Sequence, residues 1–417
     1  MGKSVLESTV KFDNCINCGI CKVVCPQDAI SLQLNKYNEK IPVIDRTKCN
    51  NCGQCSEYCP HTKEKFKKEA EKISRYDKPH AWGLQNASYY VAWSKDKLQR
   101  QKCCSGGTAT ELAAYLLKSG VIDGMIHVER LWGHRGVLHY GARLSTSIEE
   151  IKEHVSSAYQ PIDFSEILPM LKRDKTYLIT ATPCVIRGLK KLFGENKKYK
   201  NINILTCALI CSHNTNSQFI DFLCEMNNVS DVDEWKVNIR HKDDEIEDAN
   251  NFKNHIYTKD KDLLDKNRFE SGWTHIWRNY YFAMGACLKC SDFWGYEADI
   301  SVKDAWGFWA KDPLGKSLVI IRNKELETHF LNSNLETEKL EYSSMENHQK
   351  ITTSYKQSEA FNKNFKPVFA KCNRKNLLFR YSFISSASKF LYLNFGYKLT
   401  SKIMPIVEFV ANIGEKI

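Results

Sequence analysis

The sequence predicts a small α+β head followed by a larger α/β body. Three observations carry that prediction. A four-cysteine run occurs twice near the N-terminus, at a period of 34 residues from Cys15 to Cys49. From Tyr89 onward, short apolar runs of strand length alternate with helical stretches, the pattern of a mostly parallel sheet with helices packed on it. Finally, 417 residues are enough for two or three domains, and no run of about eighteen apolar residues suggests a spanning helix.

The first run is Cys15-x2-Cys18-x2-Cys21-x3-Cys25-Pro26 and the second is Cys49-x2-Cys52-x2-Cys55-x3-Cys59-Pro60. This is the spacing of the bacterial two-cluster ferredoxin, in which three cysteines wrap one cubane and the fourth crosses to the other. Cys15, Cys18, Cys21 and Cys59 are therefore assigned to one [4Fe-4S] cluster, and Cys49, Cys52, Cys55 and Cys25 to the second. Pro26 and Pro60 turn the chain away after each crossing ligand. Gly19 and Gly53 sit inside the tight loops, where a missing side chain lets backbone approach the cluster. Zinc sites use paired cysteines rather than runs of three plus one. Strands are expected at 29–34 and 42–45, and the Lys- and Glu-rich stretch 61–78 reads as a solvated helical linker. The boundaries drawn are a ferredoxin-like domain at 1–62, a linker at 63–84, a main domain at 85–345 and a tail at 346–417.

In the body, strands are expected at 89–94, 121–129, 176–182, 202–210, 299–302 and 317–322, with helices at 108–119 and 185–193. Residues 238–268 are highly charged and read as surface loop. Within them Arg240, His241 and Lys242 form a basic trio that suits either an anionic ligand or a solvated face. Trp294, Trp306 and Trp309 suit core packing or the shielding of a cluster.

The segment Arg100-Gln-Lys-Cys103-Cys104-Ser105-Gly106-Gly107-Thr108-Ala-Thr110 precedes the first of these helices. A Ser-Gly-Gly-Thr turn at a helix N-terminus can present backbone N–H groups to a phosphate. The hydroxyls of Ser105, Thr108 and Thr110 could add donors, although an ordinary capped turn looks the same. Thr182-Pro183-Cys184 falls in the turn after a strand, where α/β proteins place ligands. Cys211 follows the next strand, and Cys287-x2-Cys290 lies beyond. By spacing alone this set suits a third cluster, zinc or buried core thiols.

Seventeen cysteines without an apolar leader among Met1 to Lys11 point to a reducing, cytoplasmic setting and to metal ligation rather than disulfides. The net charge is +11. Residues 371–417 carry eight basic and two acidic residues interleaved with apolar ones, so the tail could touch an anionic membrane surface, dock on a partner or cover the protein's own core. Nucleic acid is not expected, because elsewhere the basic residues are diluted by acidic ones and no recognition motif accompanies them.

Taken in order, Arg100 with Ser105-Gly106-Gly107, Thr182-Pro183-Cys184 with Gly188-Leu189, Leu209-Ile210-Cys211, Cys287-x2-Cys290 and the run Asp299 to Gly307 resemble the coenzyme F420 hydrogenase/dehydrogenase beta-subunit family. Its bacterial members often carry a two-cluster ferredoxin head. The resemblance implies a flavin, FAD, near Arg100, Ser105, Gly106, Gly107, Thr108 and Thr110. It also implies a third [4Fe-4S] cluster on Cys184, Cys211, Cys287 and Cys290. There are departures. Cys103 and Cys104 replace a serine run, Ser157-Ala158-Tyr159-Gln160 lacks a lysine before the tyrosine, and His213-Asn214 differs after the cysteine. The implied activity is a flavin- and iron–sulfur-dependent oxidoreductase acting on an unidentified small molecule, with a redox protein or reduced cofactor as its partner. The alternative is an electron-carrying subunit with no substrate site that docks on another enzyme, in bacterial relatives often one tied to surface-polysaccharide synthesis.

Overall fold

The computed structural model describes residues 5–11, 14–35, 39–62, 65, 83–278 and 282–345. Most of the expected linker and all of the basic tail, with the membrane contact suggested for it, lie outside the described residues.

The head contains α1 (Val5–Lys11), α2 (Ile20–Val23), β1 (Ile30–Leu34), β2 (Lys40–Ile44) and α3 (Gln54–Glu57). β1 and β2 form an antiparallel hairpin running from Ile30↔Ile44 to Leu34↔Lys40. The two cysteine loops have the same backbone. Asn17 and Gly19 take φ of 56° and 78°, and Asn51 and Gly53 take 59° and 76°. Asn and Gly are the residues that tolerate this left-handed region, so the repeat in sequence is also a repeat in conformation.

The body contains β3 (Ser88–Ser94), α4 (Lys97–Lys102), α5 (Thr108–Lys118), β4 (Gly124–Arg130), β5 (Tyr140–Ser145), α6 (Ile148–Glu153), β6 (Thr176–Ala181), α7 (Pro183–Glu195), β7 (Asn203–Leu209), α8 (Gln218–Met226), β8 (Lys236–His241), β9 (Lys253–Tyr257), β10 (Asp262–Asn267), α9 (Trp273–Arg278), β11 (Ile300–Asp304), β12 (Ser317–Ile321), α10 (Lys324–Asn332) and β13 (Leu335–Leu340). Eight strands form one sheet in the order β13-β3-β12-β11-β7-β6-β4-β5. The sheet is mixed rather than mostly parallel. Only β4, β6, β7 and β11 pair in parallel, and the flanking pairs are antiparallel. The central strands are mostly apolar because both faces are covered at their middles, as at Ile179 and Ala208, both 0% exposed.

The charged stretch expected to be surface loop instead builds a three-stranded antiparallel sheet, β10-β9-β8. Its alternating burial hides Val237, Ile239, Ile256 and Leu264 against α8 and Trp273. The charges that masked this pattern lie between the apolar positions, as strand geometry demands.

The head does not hang on a free linker. Ile16, Cys18, Ile20, Val24 and Tyr58 belong to the same core as Phe164, Val185 and Leu189 of the body. Ile20 is 0% exposed, a burial that contributes about 1.5–3 kcal/mol. The contact is close because Gly188 in α7 has no side chain: a Cβ there would stand 2.8 Å from Ile20 Cδ1 and 3.4 Å from Pro60 Cδ. Polar contacts tie the same seam. Lys289 Nζ donates to Asn14 Oδ1 at 2.6 Å, Phe164 N donates to Cys18 O at 3.1 Å, and Lys191 pairs with Glu57. We predict that Gly188→Leu costs about 1–3 kcal/mol by overpacking this seam, read as a lower urea midpoint at unchanged iron content. An unchanged midpoint would mean that the head is docked loosely.

Candidate functional site

β3 runs antiparallel to β12, which runs antiparallel to β11, so β3, β4, β6, β7 and β11 all point the same way. Their C-terminal ends share one edge, the edge where open α/β sheets bind ligands. A cavity of about 490 Å³ opens there, within the ordinary range for small-molecule sites. It is lined by Thr180 to Thr182 from β6, Leu209 to Cys211 from β7 and Val302 to Asp304 from β11.

The turn after β3 and α4 forms one wall. Ser105, Gly107, Thr108 and Thr110 line the cavity, as do Cys103 and Cys104. Gly107, at φ 81°, is the residue from which α5 starts. Thr108 Oγ1 donates to Ala92 O at 3.0 Å, which pins the helix start to β3. Ser105 Oγ donates to Asp304. Arg100 and Gly106, expected beside them, are not among the residues that line the cavity. Arg100 is 7% exposed and donates to Asp312 Oδ2 and Gly315 O, both at 2.7 Å. Gly106 lies against that same loop, where a Cβ would come within 2.7 Å of Gly315 O. Both residues clamp the turn from behind.

The basic trio is divided by the alternation of its strand. Arg240 and Lys242 are buried and His241 stacks towards His255. Arg240 donates twice to Asp304, at 2.9 and 2.8 Å. Burial alone would raise the Asp304 carboxyl, but Arg240, helped by Ser105, outweighs it and holds it below the usual range. Lys242 Nζ donates to the carbonyls of Arg100, Cys103 and Leu314 at 3.1, 2.5 and 2.6 Å. Burial brings Lys242 down to about 8. These cations are therefore scaffold for the Ser105 turn rather than a solvated face. Lys303 also lines the cavity and is lowered by burial to about 8.

Aromatic side chains close the far side. Tyr159 packs edge-on to Trp273 and Trp277, at 5.4 and 4.8 Å between centroids. His213 stacks on Trp277 at 3.7 Å. Sequence reasoning missed this wall, since Trp273 and Trp277 follow a stretch read as loop. Their i, i+4 spacing on one helix face was the available signal. Of the three later tryptophans, Trp294 and Trp309 are core residues and Trp306 faces the cavity.

Cys184, Cys211 and Cys287 line this cavity as well. Cys184 sits at the second position of α7, after Pro183, with Thr182 Oγ1 3.4 Å from its sulfur. Cys211 N donates to Phe293 O at 3.2 Å, and Asn214 N donates to Cys287 Sγ at 3.2 Å. The segments bearing Cys211 and the Cys287–Cys290 pair are thus laced together. Cys290 is buried one turn further on, its sulfur 3.5 Å from Asp292 O, and does not line the cavity. Cys207 is a core thiol, pushed up to about 12 by burial.

In the head, burial raises the Cys18 thiol, and the charges of Cys59, Cys15 and Cys184 add to the effect. Cys55 is likewise raised by burial first, with Cys25 and Cys52 adding to it. Cys59 thus acts on the first run as well as on Cys55, and Cys25 acts on Cys55. Cys184 brings the body's cysteine set up to the head. Backbone N–H groups point at sulfur, from Asn17 to Cys15 at 3.4 Å and from Ala29 to Cys25 at 3.3 Å. That donor chemistry suits thiolate ligands of a cluster. Among the described residues no three His, Cys, Asp or Glu side chains gather tightly enough for a single metal ion, and no described cysteine is in a disulfide. No helix among the described residues is long and apolar enough to cross a membrane.

Two buried histidines give the body a pH signature. Burial lowers His127 and His139 to about 4, with His154 and His134 respectively adding to the effect. Above about pH 6.5 both folded and unfolded states hold them neutral. As pH falls from there towards 4 the unfolded chain takes up protons that the fold refuses, so stability is lost in that window, about 3 kcal/mol for each histidine. We expect His139→Leu to flatten the fall of urea stability between pH 6.5 and 4. An identical slope in the variant would contradict the assignment.

Three family models match the chain. The coenzyme F420 hydrogenase/dehydrogenase, beta subunit N-term model covers residues 89–169, and the corresponding C terminus model covers 174–348. A 4Fe-4S dicluster domain covers residues 14–63. No curated protein matches. One solved structure that aligns with the chain is that of the F420-reducing [NiFe] hydrogenase complex from Methanosarcina barkeri. It is 20% identical, covers 65% of this chain and 89% of that chain, and has a TM-score of 0.46. The cysteine runs and the family models define an iron–sulfur, electron-transfer oxidoreductase-like subunit. The chain belongs to the coenzyme F420 hydrogenase/dehydrogenase beta-subunit family.

Proposed function

We propose that this protein is an iron–sulfur flavoprotein oxidoreductase that couples two-electron flavin chemistry to one-electron transfer through [4Fe-4S] clusters. The observation that carries the reading is one shared cavity. The Ser105, Gly107, Thr108 and Thr110 wall and the Cys184, Cys211 and Cys287 wall face the same space, and Cys184 lies within electrostatic reach of Cys18 in the head. A bound flavin, FAD in this reading, would supply the exchange of a hydride for two single electrons. The start of α5 offers backbone N–H groups to its phosphates. Tyr159, Trp273 and Trp277 offer apolar surface for a planar ring and keep water from it. Cys184, Cys211, Cys287 and Cys290 would hold a third cluster. Cys15, Cys18, Cys21 and Cys59 would hold one head cluster, and Cys49, Cys52, Cys55 and Cys25 the other. Arg240 and Asp304 keep the turn in shape.

The family is described as a beta subunit of hydrogenases and dehydrogenases, which supports a redox protein as partner here too. Anaerobic purification with iron, sulfide and flavin counted per chain tests the reading. About twelve irons, four for each cubane, and one flavin are expected. Iron-replete protein without flavin, showing no flavin bleaching on reduction, would leave only an electron carrier.

A further inference from the structure

The two head loops share a backbone but not a setting. At the repeat period, Ile16 matches Asn50, Cys18 matches Cys52, Ile20 matches Gln54 and Cys21 matches Cys55. The first member of each pair is buried, with Ile16 at 8%, Cys18 at 9%, Ile20 at 0% and Cys21 at 9% exposure. Asn50 and Cys52 are exposed, and Gln54 and Cys55 are half-buried. The glycines record the same difference. A Cβ at Gly19 would stand 2.3 Å from Asp163 Oδ1 and 2.9 Å from Ser165 Cβ, whereas a Cβ at Gly53 would meet nothing within 4 Å. The first loop is thus roofed by the body segment around Phe164 and adjoins Cys184. The second faces water. The sequence encodes this polarity, because isoleucines stand where a loop must be buried and amides where it must be wet.

From this we infer that the Cys49–Cys55 loop is the protein's electron port, the surface on which a separate one-electron carrier protein docks. The inference rests on the redox reading of the head and adds to it the port and the direction in which the centres are ordered. Exposed residues flank the loop: Asp45, Arg46, Thr47 and Lys48 precede it, Glu57 ends it, and Gln27 and Asp28 follow Cys25, whose charge acts on Cys55. Asp28, Asp45 and Glu57 stand against Arg46 and Lys48, so the rim carries about one net negative charge. Long-range steering is therefore weak, and recognition depends on short-range fit. The occupant is a one-electron carrier protein, and its exchange rate should change little with salt. The exchange is a one-electron step: the carrier is oxidised by one electron, the head is reduced by one, and no bond or proton moves.

Two measurements on the full-length, anaerobically purified protein decide this. A soluble dysprosium chelate should speed the electron-spin relaxation of one head cluster signal and leave the other nearly unchanged. Equal effects on both signals would overturn the inference. Second, a chemically reduced bacterial two-cluster ferredoxin serves as the probe in stopped flow. The double variant Gln27→Trp and Lys48→Trp crowds the rim without removing a cysteine, and it should slow electron uptake by about one to two decades. A control at Glu149, also exposed and on the body, should not. If the rim and control variants react alike while keeping their iron, electrons enter elsewhere. Loss of iron from the rim variant would leave the relaxation result as the arbiter. Flavin content and flavin bleaching are independent of both readouts, so failure here and failure of the flavin reading are distinguishable.

Discussion

Cys287→Ala should yield a protein with about eight irons instead of about twelve, with both head signals intact and electron transfer between cavity and head slowed by about a hundredfold or more. The reason is position. Cys287 lines the cavity and receives the N–H of Asn214, so it joins the cavity wall proposed to face a flavin to the Cys211 segment. Removing it leaves three of the proposed four ligands and breaks the path at its middle. The check is iron and flavin content together with stopped-flow reduction of the head. Full iron and unchanged transfer would remove Cys287 from the path. The corresponding change at Cys207 serves as contrast, because that thiol is 1% exposed in the strand core and should alter stability without altering iron.

Arg240→Met should destabilise the body by about 3–5 kcal/mol, the usual consequence of leaving a buried charge without its partner. Asp304, which also accepts from Ser105, would lose the cation that offsets its burial. The cavity wall formed by the Ser105 turn should loosen with it, so flavin retention should fall in parallel. A second change, Asp304→Leu, should recover much of the stability, since an apolar pair of similar volume commonly replaces a buried ion pair at little cost. It should not recover the flavin. Urea unfolding of the single and double variants measures the first effect, and flavin content measures the second. A single variant as stable as the parent would show that the pair bears no weight.

The head was legible because cluster chemistry dictates spacing. The cysteine runs follow from loop geometry, and a 4Fe-4S dicluster domain matches the residues that carry them. Strands such as Thr176–Ala181 and Asn203–Leu209 were legible because they lie in the middle of the sheet and are mostly apolar, in short runs of strand length. The strands of 236–267 were not, because there the buried residues alternate with Lys, Asp and His. The antiparallel flanks of the main sheet escaped for a related reason: the pairing partner of β3 is β12, more than two hundred residues away, and no local pattern reports it. Arg100 and Gly106 show how one motif gathers residues in different settings. They stand in the turn that lines the cavity, yet one is an arginine tied to Asp312 and the other a glycine required by the approach of Gly315.

A reductive titration of the anaerobic protein, counting electrons taken up per chain, tests the continuous path from cavity to head most directly. About five should be consumed, one for each of three clusters and two for the flavin. Uptake of about two, the capacity of the head alone, would contradict it.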